Sequence, residues 1–138
     1  MLNSQTITNA SVQSTGIDMS KFKRAMWIVF SSSLGAAGTL TGQLQSSPNS
    51  NFTNNHNISQ SNLTTTAVNN GIFTVEVRAD QVQGQNAGDR YVRLNLTGAV
   101  NAITAWALGL GAEAQQKPAG GNYDLNSTWV TQRVTVNT

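Results

Sequence analysis

Between residues 72 and 98, apolar side chains fall on every second position. Phe73, Val75 and Val77 form one run and Val92, Leu94 and Leu96 the next, with Thr74, Glu76 and Arg78, then Tyr91, Arg93, Asn95 and Thr97, on the intervening positions. A period of two puts alternate side chains on opposite faces of an extended chain, so both runs are predicted as half-buried β-strands. The connector at 79–89 carries Gly84 and Gly88 among Gln, Asn and Asp, and is predicted as a loop that returns the chain antiparallel.

The rest of the chain reads as further strands around this pair. Residues 1–20 hold widely spaced apolar residues (Leu2, Ile7, Val12, Ile17) in a Ser/Thr/Asn/Gln background, which suggests edge strands or an extended arm. Residues 25–30 are apolar on both phases, as expected of a central strand of a sandwich or of a strand at an interface. The small residues at 35–38 predict a tight turn, which would make 25–45 a hairpin. Residues 62–68 read as a short strand, and Asn69-Asn70-Gly71 as a turn. Residues 100–110 are apolar on both phases and are predicted to pair with 90–97 through the turn at Gly98, while 128–136 alternate again. Two long loops are expected, at 46–61 and 112–127. With about eight short strands, turn signals between them and no helical period, the pattern predicts an all-β fold, an antiparallel β-sandwich or jelly roll.

Length and composition narrow the function. At 138 residues the chain is one domain's worth, spanning 1–138. It has no Cys, which removes disulfides and thiolate chemistry together. Only 10% of residues are charged, against about 25% in ordinary domains. Neutral amides and hydroxyls are cheaper to desolvate than ions, so such a surface suits broad protein contact. The net charge is +2 and the basic residues are scattered, so no nucleic-acid stripe is expected. Residues 1–20 lack the apolar core of a signal peptide, and the apolar run at 25–30 is too short to span a bilayer; neither export by the usual route nor a membrane partner is expected.

No constellation for catalysis stands out. His56, the one histidine, sits in an Asn-rich loop with no carboxylate close in sequence, and is expected to be a solvated loop residue. The acidic residues Asp18, Glu76, Asp80, Asp89, Glu113 and Asp124 form no close pair, and the spacing around Asp124 does not match an EF-hand. Gly109-Leu110-Gly111 lacks the helix and third glycine of a dinucleotide fingerprint. The Asn-x-Ser/Thr triplets follow from composition. These readings predict a protein that is not an enzyme and has no catalytic, cofactor or metal site. Arg78, Arg90 and Arg93 are expected to form cross-strand pairs with Glu76 and Asp89, or to meet a partner. Trp27 and Trp106 are expected to be buried, and Trp129, on the polar phase of its strand, to anchor an interface.

The segments FTVEVRADQV (73–82) and DRYVRL (89–94), and the apolar strand 102–110 with its Gly-rich, Pro-containing exit, belong to a wider pattern. Together with Asn3-Ser4-Gln5-Thr6-Ile7, the stretch 14–18 and the strand 22–29, they resemble the jelly-roll head decoration, or cement, proteins of tailed phages. The likeness covers most of the chain, and the Asn-rich insert at 49–62 departs from it. It implies a structural virion protein, made in the host cytoplasm, that sits on the outer capsid surface. There it would clamp neighbouring major capsid protein subunits and associate with itself as a dimer or higher homo-oligomer. Leu2 and Ile7 of the N-terminal arm, Arg78, Arg93, Trp129 and Arg133 are the candidate interface residues. The alternative is a carbohydrate-binding or adhesin-like β-sandwich of a tail or receptor-binding structure, in which exposed aromatics stack on sugars.

Overall fold

In the computed structural model of the chain, which describes residues 1–32, 38–66 and 71–114, ten strands and one helix follow one another. They are β1 (Leu2–Ile7), β2 (Ala10–Gln13), β3 (Ile17–Asp18), β4 (Phe22–Ser31), β5 (Thr39–Ser47), β6 (His56–Asn57), β7 (Leu63–Thr66), β8 (Gly71–Arg78), α1 (Ala79–Gln85), β9 (Tyr91–Ala99) and β10 (Ile103–Ala114). One sheet, called A here, runs β1-β10-β4-β8. In the other, sheet B, β9 pairs with β5. β2 and β3 lie end to end along the far edge of β9, and β7 and β6 likewise along the far edge of β5. All of these pairings are antiparallel. The fold is an all-β sandwich. With the two-residue strands set aside, neighbouring strands in the chain alternate between the sheets except β5 and β7, which pair within sheet B, and the order is that of a jelly roll.

That alternation corrects two expected hairpins. β4 and β5 lie in opposite sheets, as do β9 and β10, so their connections arch across the sandwich. The second arch turns at Val100, whose φ of 73° is unusual for a β-branched residue. Its N–H donates to Asn9 Oδ1 at 2.8 Å, tying this corner to the β1–β2 corner. The connector after β8 likewise crosses between sheets, and it contains a helix where a loop was expected. Gln81 Oε1 accepts from the Arg78 N–H at 3.0 Å and secures the first turn of α1, while Val82 is fully buried beneath it. Residues 1–20 are edge strands on both sheets, and residues 112–114 continue β10. The expected strand at 128–136, with Trp129 and Arg133, the turn at 35–37 and the loop from 115 onward lie outside the described residues.

The core is built by strict alternation. Ala25, Trp27 and Val29 of β4 and Ile103, Ala105 and Ala107 of β10 face Leu40 and Leu44 of β5 and Val92, Leu94 and Leu96 of β9, all of them buried. Each fully buried Leu or Val contributes roughly 1.5–3 kcal/mol of transfer free energy. The Asn-rich loop is pinned to this core. Phe52 and Ile58 are buried, and Ser61 Oγ accepts from the Leu44 N–H at 3.1 Å.

Candidate functional site

A strand covered on one face should be polar on the other. The outer face of sheet A breaks that rule. Across β10, β4 and β8 the ladder sets Trp106, Phe30 and Ile72 in one row, Leu108, Ile28 and Thr74 in the next, and Leu110, Met26 and Glu76 in a third. Ile72 is 66% exposed, Trp106 42% and Leu110 38%; Met26, Ile28, Phe30 and Leu108 are half-buried. The Trp106 and Phe30 rings stack with centroids 3.8 Å apart and planes within 10°. Polar groups bound the band at both ends. Thr104 with Thr6 and Ser32 closes one end. At the other, Arg24 bridges Glu76 at 3.0 Å and Glu113 at 3.2 Å. A contiguous apolar patch with a polar rim is the usual mark of an interaction surface.

Sheet B presents the opposite character. Its outer face is a ladder of polar, mostly neutral groups bonded to one another: Ser11 with Thr97 at 2.7 Å, Gln13 to Asn95 at 2.9 Å, Arg93 to Gln45 at 3.0 Å and Gln45 to Asn57 at 3.2 Å. Arg93 also lies over the Phe52 ring, 4.4 Å from its centroid. These side chains are satisfied within the molecule, so a partner would gain little by replacing their bonds. The apolar face of sheet A carries no such commitment.

The candidate residues read from the sequence distribute differently. Leu2 and Ile7 are buried in the core, because β1 is a strand of sheet A and not an arm lying on another chain. Arg78 pairs with Asp80 within α1's first turn, and Arg90 with Asp18, in place of the expected pairs to Glu76 and Asp89. Trp27 is fully buried as expected, whereas Trp106 is exposed. The signal for Trp106 was the doubled apolar phase of 100–110: Ala105 and Ala107 fill the inner positions, so the larger Trp106 and Leu108 must face out.

His56 is exposed, as expected, but it has a carboxylate partner that the sequence did not indicate. The fold brings it to Asp89, with Nδ1 2.8 Å from Oδ2. Asp89 is buried and accepts from Ser46 Oγ at 2.6 Å, while Asn86 Nδ2 donates to Ser46 Oγ at 3.1 Å and the Gln83 side chain donates to the Asp89 carbonyl. The serine hydroxyl therefore points to the carboxylate and not to the imidazole, which is not the order of a nucleophile activated by a histidine. The cluster fastens the 48–62 loop to the segment after α1. Among the described residues, no group of three His, Cys, Asp or Glu side chains is placed to hold a metal ion, and no helix is long and apolar enough to cross a membrane.

A cleft of about 420 Å³ opens beside α1, lined by Met19, Ser20, Ala79, Asp80, Gln83, Gly88 and Arg90. Its charges are engaged internally, since Arg90 grips Asp18 through Nε at 2.7 Å and Nη2 at 2.6 Å. The Arg90 hydrogen bonds, helped by Ser20, hold the Asp18 carboxyl down at about 2, against an ordinary 3.8. A folded-state value below the unfolded one stabilises the fold above the unfolded value, and that contribution is lost as pH falls through the folded one. The thermal midpoint of the wild type should therefore lie above that of Asp18→Asn near pH 6. The difference should close as pH falls from about 4 to about 2; a constant gap over that range would refute the assignment.

No protein-family model matches the chain, and no curated protein matches it.

Proposed function

We propose that this protein is a structural virion protein that decorates and stabilises an icosahedral phage capsid, seating the outer face of sheet A on neighbouring major capsid protein subunits. The observation that carries the reading is the apolar band of Trp106, Phe30, Ile72, Leu108 and Leu110 on the solvent side of an otherwise neutral sandwich. Burying it releases about 25 cal/mol per Å² of apolar surface, and the flanking hydroxyls are cheap to desolvate. The low charge, the jelly-roll strand order and the resemblance of the VRAD and RYVR segments to head decoration proteins support the same reading. Many modest contacts repeated over a lattice then give firm attachment through avidity.

The test is co-sedimentation with shells that lack the protein. The wild type should bind and raise the temperature at which shells burst. The double variant Phe30→Thr, Trp106→Thr should bind at least about tenfold more weakly, as loss of a central aromatic anchor does, while keeping its thermal midpoint within a few degrees. Equal binding by the variant, or shells indifferent to the wild type, would overturn the proposal. The half-exposed Trp106 also favours a second reading, a carbohydrate-binding module of a tail. That reading predicts Trp106-dependent signals on a glycan array and no binding to shells.

A further inference from the structure

Most edges of the sandwich are guarded against strand addition. β1 breaks register between Leu2 and Gln5. β2 and β7 have four residues each, and β3 and β6 only two. β8 is the exception. It runs eight residues in unbroken register against β4, contains no Pro or Lys, and no strand among the described residues pairs with its other side. Its inward residues Phe73 and Val75 stay half-buried where Val77 is fully covered, and Ile72 is the most exposed large apolar residue among those described. A long, regular strand of this kind is a template for another strand. Its two charges do not guard it, because Glu76 is held by Arg24 and Arg78 by Asp80.

We infer that β8 pairs antiparallel with β8 of a second copy of this chain, about a twofold axis through Val75. This register overlaps the strand from Ile72 to Arg78 and is self-complementary. On the inner face Val75 meets Val75 of the partner copy and Phe73 meets Val77. On the outer face Thr74 meets Glu76 and Ile72 packs on the stem of Arg78, with no like charges directly opposed. Moving the axis to Glu76 would set the two Glu76 carboxylates against each other, and moving it to Thr74 would set Ile72 against Glu76. The pairing extends sheet A across both copies and places their apolar bands side by side. It stands whether or not that face seats on a capsid.

Light scattering on the full chain at tens of micromolar should give twice the 14.7 kDa chain mass. Thr74 is exposed on the outer face, so it can be changed without touching the core. Thr74→Glu sets carboxylates against Glu76 of the partner copy at two places and should raise the dissociation constant at least tenfold. Thr74→Lys sets an ammonium there and should leave the dimer intact. The chain has no cysteine, so in Val75→Cys the two symmetry-related thiols should form a covalent dimer under mild oxidation, and adding Thr74→Glu should suppress it. A monomeric wild type, equal loss with both charges, or no cross-link at Val75→Cys would overturn the inference.

Discussion

Replacing Trp27 with alanine should destabilise the fold by about 3–5 kcal/mol, the range for deleting a large buried aromatic. Among the described residues Trp27 is the largest fully buried side chain, and it sits at the centre of β4, in register with Val75 on β8 and Gly109 on β10. Its removal leaves a cavity against strands that cannot collapse, because both neighbours are held by the ladder. Urea unfolding of the full chain measures the loss as a fall in midpoint at constant slope. The indole Nε1–H has no hydrogen-bond partner among the described residues, so Trp27→Phe, which keeps most of the volume and deletes that donor, should lose far less than alanine. Equal losses for Phe and Ala would show that the site is not volume-limited.

The alternation that predicted the strands also predicted which residues face the core, as at Val92, Leu94 and Leu96, because one-sided burial leaves a period of two in the chain. Which strand lies in which sheet was not legible. A hairpin and an arch between sheets both need only a turn between two alternating runs, so 25–45 reads equally well as either. The choice is made by pairings far apart in sequence, such as Trp106 beside Phe30 and Leu96 beside Gly42. The helix at Ala79–Gln85 escaped notice because its one buried residue, Val82, gives no helical period in a segment that also holds Gly84.

The interaction surface was half legible. Residues 25–30 and 100–110 are apolar on both phases, and a strand of that kind is either covered twice or exposed to a partner. Only the fold shows that a single layer covers them. Leu2 and Ile7 erred the other way, since sparse apolar residues in a polar terminus look like an arm until β1 is seen filling the edge of sheet A. The His56–Asp89 contact joins residues whose partnership arises only when β6 lies along β5.

Gly109 should be intolerant of a single methyl group for a reason that Trp27 alone supplies. A Cβ at this position would stand 2.8 Å from Trp27 Nε1, closer than real Cβ atoms come to their neighbours, and 3.1 Å from Cδ1, which is also tight. The indole cannot swing aside, because it is fully buried between the sheets. Gly109→Ala is therefore expected to cost about 1–3 kcal/mol, the usual range for overpacking. In the Trp27→Leu background the indole edge is gone, and alanine should then be neutral or stabilising by up to about 1 kcal/mol, since glycine within a strand carries excess entropy in the unfolded chain. A double-mutant cycle by urea unfolding isolates the coupling. Reversal of sign between the two backgrounds ties the glycine to the tryptophan that lies across it. Additive losses would instead assign the cost of alanine to the backbone of β10, and Trp27 would no longer be the reason that this strand carries glycine where its outer neighbours are leucines.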